Sequence, residues 1–260
     1  VFLGVLREII LFIADHCARA CGGRFIPAAH EGSSVLMALA WAHVTGRIGV
    51  ATITHGPALT NCVTALTEGV RGQIPMVLMA GDTPVSNPRH LQGINQREVV
   101  AATGAGFEQL RSPDTVARDV ARAMYRAQVE RRPVVLNMPA DFMWQEARYE
   151  RHVLSVFETR SYVPEGDALD QALGMVASAR RPVILAGSGA SGARAQILRL
   201  AERLEAPVAT TLKAKGLFRG HPYDMDIFGT LSTPAAYDVI AKADCILCFG
   251  AGLHDFTTDR

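Results

Sequence analysis

Short β-branched or apolar runs alternate along the chain with longer stretches whose apolar residues recur at helical spacing, the arrangement of a parallel sheet wrapped by helices. The pattern predicts strands over 1–6, 24–29, 49–54, 76–80, 107–111 and 134–138, separated by helices over 8–21, 33–45, 59–71, 95–103 and 113–130. The last helix is the best signalled. Ser112-Pro113-Asp114 supplies an N-cap, a proline for the first turn and an acid at the positive helix end, and Val116, Val120, Met124 and Ala127 line one apolar face. These elements predict a three-layer α/β domain over 1–143, with helices on both faces of a parallel sheet. Residues 144–163 are mixed, charged and aperiodic, and read as a linker. A second, Rossmann-like α/β domain is predicted over 164–260, from helices over 167–179, 193–205 and 234–243 and strands over 182–186, 207–212 and 245–249. It stops just after a strand and is expected to be truncated; the opening on a strand at Val1 suggests a missing start.

With 260 residues, 49% hydrophobic and 20% charged, the chain can bury a full core. Its 26 basic and 25 acidic residues leave a net charge of +1 with no long block of one sign, so no electrostatic footprint for nucleic acid is present. Apolar runs such as Val35 to Ala42 stop short of the roughly 18 to 20 residues a membrane span needs. The apolar opening is interrupted by Arg7 and Glu8 and has no small-residue cleavage site, so no export signal is read. Five cysteines, an odd number, argue against a disulfide framework and for a reducing, cytoplasmic setting. Cys17 and Cys21 share a helix face and read as core. Cys245 and Cys248 have Cys-x-x-Cys spacing, but in a strand expected to be buried they would point to opposite faces, which disfavours a metal site in this chain.

Parallel strands direct their carboxyl ends to one rim, where open α/β sheets place ligands. Glu31 stands there, at a strand-to-helix junction followed by two candidate N-caps, Ser33 and Ser34, and then by apolar residues. Low-dielectric surroundings would favour its protonated form and suit proton shuttling; the alternative is a solvated acid at a helix start. Thr54-His55-Gly56-Pro57-Ala58, Gly81-Asp82-Thr83-Pro84 and Met138-Pro139-Ala140-Asp141 follow other strands and must converge on the same crevice. Gly56-Pro57 lets backbone approach a flat ring, and Asn61 offers a donor and an acceptor. Taken singly, this stretch is also an ordinary tight turn with a surface amide.

His30-Glu31, Thr54-x-Gly56-Pro57-x3-Asn61, the strand from Met76 with Gly81-Asp82-Thr83-Pro84, Leu91-Gln92, and Arg132-Pro133-Val134-Val135-Leu136-Asn137-Met138-Pro139 form an ordered set. Together they resemble the pyrimidine-binding domain of thiamine-diphosphate enzymes, the acetolactate synthase-like group in particular. Residues 164–260, with Pro182-Val183-Ile184-Leu185-Ala186-Gly187-x-Gly189, resemble the front of that group's central domain. The resemblance implies that Glu31 hydrogen-bonds a pyrimidine nitrogen of the cofactor, whose imino form then removes the thiazolium C2 proton for chemistry on a 2-keto acid. It implies that Thr54, Gly56, Pro57 and Asn61 seat the pyrimidine ring and that Gln92 faces the reacting centre. His30 and His55 either touch intermediates or are simply hydrogen-bonded in place.

The sequence departs from the family pattern in three places. Residues 4–8 carry two charges where a small residue borders the substrate, Ala58 replaces a glycine, and no Gly-Asp-Gly with a downstream asparagine pair is present. That last motif holds Mg²⁺ and the diphosphate in the family. The resemblance therefore implies half a cofactor site, Mg²⁺ ligands on a further C-terminal domain, and a homodimer or homotetramer as the working unit. Gly187-Ser188-Gly189-Ala190-Ser191-Gly192 fits the Gly-x-Gly-x-x-Gly pattern of dinucleotide sites, but strand 207–212 runs into Lys213-Ala214-Lys215 rather than a ribose-binding acid, which argues against NAD. Some relatives place FAD on this domain; here the glycines read as a packing turn. The expected activity is a carboligase or decarboxylase of 2-keto acids. The alternatives are a benzoylformate or oxalyl-CoA decarboxylase-like enzyme and a stand-alone, non-catalytic nucleotide-binding or regulatory subunit.

Overall fold

The structure, a computed structural model, describes residues 1–5, 8–87, 89–150, 152 and 163–258. Two units are present, Val1–Glu158 and Thr159–Arg260. Most of the expected linker over 144–163 lies outside the described residues, as do Leu6 and Arg7.

The first unit contains β1 (Phe2–Gly4), α1 (Glu8–Arg19), β2 (Phe25–Pro27), α2 (Glu31–Thr45), β3 (Gly49–Ile53), α3 (Pro57–Thr60) and α4 (Val63–Gly72). It continues with β4 (Met76–Asp82), α5 (Gln96–Thr103), β5 (Gly106–Gln109), α6 (Val116–Glu130) and β6 (Pro133–Pro139). The strands pair in parallel in the order β2-β1-β3-β4-β6-β5. Because side chains alternate across a strand, successive residues feed two cores. Met76, Leu78, Ala80 and Val135 pack with Val35, Leu39, Leu59, Leu66 and Val100 of α2 to α5. Val77, Val134, Leu136 and Met138 pack on the other face with Ala123 and Ala127 of α6 and with Ile13 of α1. The predicted three-layer α/β architecture is therefore present.

The second unit contains α7 (Asp167–Ser178), β7 (Pro182–Ala186), α8 (Arg194–Leu204), β8 (Val208–Thr210), β9 (Asp224–Ile227), α9 (Pro234–Ile240), β10 (Cys245–Phe249) and α10 (Asp255–Thr258). Its four strands form a parallel sheet in the order β10-β7-β8-β9. Ile184 and Val208 pack with Ile197 and Ala201 of α8, and Val183, Leu185 and Ala209 lie on the opposite side.

Several sequence expectations change. The helix predicted over 59–71 is two helices, α3 and α4, broken at Asn61 and Cys62. Helix α2 begins at Glu31 rather than at Ser33, because the His30 ring accepts the Gly32 N–H and caps it. The strand over 245–249 is an edge strand, not a buried one: it has a neighbour on one side only, and Ile246 is 44% exposed with Cys248 also exposed. Cys17 and Cys21 are not core. Helix α1 ends at Arg19, so Cys21 lies past the helical face and is exposed, and Cys17 is only half-buried.

Candidate functional site

Strands β3, β4, β5 and β6 end at one rim, and the turn after β3 is the most constrained part of it. Gly56 has φ +62° and ψ −114°, a conformation that side-chain-bearing residues rarely adopt. A Cβ there would lie 2.1 Å from the backbone oxygen of Gln92, so the segment from His90 to Asn95 closes on this glycine. Pro57 then fixes the first turn of α3, with Leu59 N–H donating to Gly56 O at 2.9 Å. That short helix carries the chain to Asn61.

The Asn61 amide donates to the Glu31 carboxylate at 3.0 Å. Gly32 allows this meeting, since a Cβ on it would come within 2.9 Å of the Asn61 backbone oxygen. Glu31 is half-buried at the first position of α2, where the macrodipole favours a negative charge, and among the described residues only Asn61 bonds its carboxylate. The negative charge is felt below it: burial first, and then Glu31, push the Cys62 thiol up from 9.0 to about 12. Such a carboxylate, held by one amide donor at the crevice edge, can accept and return a proton on a ligand.

The other candidates are placed unequally. Thr54 Oγ1 lies 3.2 Å from His55 Nδ1, and the buried His55 ring meets His90 edge-on with centroids 5.1 Å apart. His90 Nδ1 in turn accepts the Gln92 N–H at 3.2 Å, so these rings brace the segment beside Gly56. Half-buried Gln92 borders the bend. His30 is exposed and its Nδ1 is committed to the cap. The Ala58 methyl turns into the core with Leu59 and does not crowd the crevice.

Sequence reasoning passed over Gln96. It is 3% exposed, and its carbonyl oxygen accepts the Gly56 N–H at 2.8 Å while its amide nitrogen donates to Gly81 O at 2.9 Å and to Asn137 Oδ1. Asn137, 1% exposed in the wholly buried strand β6, donates to Asp82 Oδ2 at 2.5 Å and to Gln109 Oε1 at 3.0 Å. Asn137, a lone amide inside the apolar strand β6, was the available signal for this network.

In the second unit the glycines do pack. A Cβ on Gly187 would lie 2.2 Å from Gly250 O, and one on Gly250 2.5 Å from Ala190 N. The N–H groups of Gly187, Gly189 and Ala190 donate to Phe249 O, Gly250 O and Gly187 O, so these amides are not presented to a phosphate. Among the described residues no group of three or more His, Cys, Asp or Glu side chains could hold a metal ion, and no helix is long and apolar enough to cross a membrane.

Both units match known protein families. Residues 1–102 match the N-terminal TPP binding domain of thiamine pyrophosphate enzymes, and residues 169–260 match the central domain of the same enzymes. The chain is 32% identical to a sulfoacetaldehyde acetyltransferase of Rhodobacter capsulatus, over 98% of this chain and 44% of the relative. It is 30% identical to a probable acetolactate synthase large subunit of Methanocaldococcus jannaschii, over 88% and 41%. A probable 2-ketoarginine decarboxylase of Pseudomonas aeruginosa is 29% identical, over 90% and 43%. The chain thus spans less than half the length of these curated relatives.

Proposed function

Because this chain belongs to the thiamine pyrophosphate enzyme family, we propose that it supplies the pyrimidine side of a thiamine diphosphate site in a carboligase or decarboxylase of 2-keto acids, with Glu31 as the proton-relay residue. The observation that carries this reading is the Glu31 carboxylate held by Asn61 at the far end of the Gly56–Pro57 bend. The residues fit the group: the bend brings backbone, without a side chain, to one edge of the crevice, and the carboxylate stands at the other. Bound thiamine diphosphate supplies an acidic carbon and an electron sink for breaking the bond beside a carbonyl. Glu31 holds the proton exchanged with a ring nitrogen, and Asn61 keeps that carboxylate in one orientation. Thr54, Gly56 and Pro57 position the ring, and Gln92 lies toward the reacting centre. His55 and His90 brace the bend, and His30 serves α2 as its cap. Mg²⁺ and the diphosphate are held outside these 260 residues, by a further domain and across a homodimer or homotetramer, in a reducing cytoplasmic setting.

The test is hydrogen–deuterium exchange at the thiazolium C2 carbon in the protein expressed from its complete reading frame. Glu31→Gln should slow that exchange by at least about a hundredfold, the lower range of general acid–base contributions, while the fold is kept. Calorimetry with thiamine diphosphate and Mg²⁺ should show binding to the unsubstituted protein. Exchange at the unsubstituted rate in Glu31→Gln would remove Glu31 from the relay, and no binding by the parent protein would remove the cofactor.

A further inference from the structure

Gln96 lies beneath the bend, and its side chain hydrogen-bonds the Gly56 N–H, Gly81 O and Asn137 Oδ1. Its place in a chain of side chains gives it a direction. The carboxylate of Asp82 can only accept, and it accepts a hydrogen bond from Asn137 Nδ2. Asn137 must therefore turn its oxygen to Gln96, which donates to it and to Gly81 O. Gln96 is left presenting its own oxygen to Gly56 N–H, a group that can only donate. Acceptor-only and donor-only ends thus fix both amides, and neither can flip alone without setting donor against donor or acceptor against acceptor.

We propose that Gln96 is a positioning residue for the cofactor site, fixing the Gly56 peptide in its unusual conformation through an amide orientation imposed from Asp82. This rests on the thiamine diphosphate reading for its consequence, though not for its geometry. Gly56 has the widest backbone freedom of any residue type, and its φ of +62° with ψ of −114° is one choice among several. An acceptor with a single allowed orientation selects that choice. When the competent conformation falls to a fraction f, apparent affinity falls by the same fraction.

The side chains also dictate a test that separates orientation from mere packing. In Asp82→Asn the new amide keeps its oxygen for Thr83 N–H, now 2.7 Å from the carboxylate, and turns its NH2 toward Asn137. Asn137 then meets a donor, flips, and obliges Gln96 to flip or to lose its bonds, so the change reaches Gly56 from two residues away in the chain of contacts. Adding Asn137→Asp restores an acceptor for both neighbours and returns Gln96 to its native direction, with Gln109 turning its amide in answer.

The measurements are amide hydrogen exchange at Gly56 without cofactor and calorimetric binding of thiamine diphosphate with Mg²⁺, on the protein expressed from its complete reading frame. Gln96→Met and Asp82→Asn should each speed Gly56 exchange and weaken binding by about tenfold, as expected when a buried backbone donor loses its acceptor. The double variant Asp82→Asn with Asn137→Asp should recover both. If Gln96→Met does not fold, the other two variants decide. Unchanged Gly56 exchange in Asp82→Asn, or a double variant that recovers neither quantity, overturns the proposal. A parent protein that shows no thiamine diphosphate binding overturns the functional reading instead, while the exchange arm still judges the orientation of Gln96.

Discussion

Two glycines with nearly the same φ allow the close approach at the bend to be measured. Gly46 ends α2 at φ +69° and ψ 8°, and a Cβ on it meets nothing within 4 Å. Gly46→Ala should therefore cost only the left-handed penalty of about 1–2 kcal/mol. Gly56, at ψ −114°, lies outside even the small left-handed region, which costs about 1–3 kcal/mol. In addition its Cβ would stand 2.1 Å from Gln92 O and 3.1 Å from the attached carbon, backbone atoms that can retreat only by moving the segment braced by His55 and His90. An overpacking displacement of this kind adds about 1–3 kcal/mol. Gly56→Ala should thus destabilise by about 2–6 kcal/mol and clearly exceed Gly46→Ala. Urea unfolding followed by tryptophan fluorescence isolates the relevant unit, because both tryptophans of the chain, Trp41 and Trp144, lie within Val1–Glu158. Equal costs for the two variants would show that Gln92 does not press on Gly56, and the account of the bend would be wrong.

Cys62 makes stability depend on alkaline pH. Its folded thiol titrates at about 12 against 9.0 for the ordinary group, so between these values the unfolded chain has released the proton that the folded chain retains. The stability it contributes is complete below pH 9 and is lost as pH rises toward 12; Cys62→Ala should flatten this part of the urea-midpoint profile, and an identical slope in both proteins would refute it. In the second unit Gly250→Ala, at φ +55° with a Cβ 2.5 Å from Ala190 N, should cost about 2–5 kcal/mol in thermal or urea unfolding. Gly192→Ala, with open space around its Cβ, should stay within about 0.5 kcal/mol. Asp119 is fully buried, and its Oδ2 accepts from Arg111 N–H and Thr115 Oγ1; Asp119→Ala should cost about 1–3 kcal/mol by urea unfolding, and a neutral result would mean that water replaces the carboxylate.

The elements legible in the sequence are those whose apolar period is set by two cores. Strands β4 and β6 read as continuous apolar runs because helices cover both their faces, and α6 read clearly because its cap, proline and apolar face agree. What was misread lacks such agreement. Strand β9, Asp224-Met225-Asp226-Ile227, carries two acids and has an irregular register on β8, so no alternation marks it. The run over 59–71 reads as one helix by period, yet Asn61 and Cys62 divide it, a local event that an apolar period does not record. Strand β10 was expected to be buried because its residues are apolar, but burial depends on a neighbour that composition does not name. Glu31, Gly56, Pro57 and Asn61 could be singled out as residue types at a strand end; that Asn61 reaches Glu31 depends on Gly32, whose missing Cβ is a matter of distance.

The rim has two polar groupings that differ in what they can do, and the difference follows from burial. Glu31 and Asn61 form a half-exposed pair with one hydrogen bond, open to exchange partners with a ligand at little cost. The chain from Gln96 through Asn137 to Asp82 is interior at its two amides and half-buried at the carboxylate, every bond in it has a set direction, and breaking one at the amides leaves a buried donor or acceptor unpaired. Chemistry needs the first kind of group and placement needs the second. Gly56 joins them: its N–H ends the buried chain, its carbonyl begins α3, and α3 delivers Asn61 to Glu31. A shift in the interior amides therefore moves the carboxylate's partner, and because such coupling is reciprocal a change at Glu31 is felt at the amides through the same four-residue helix.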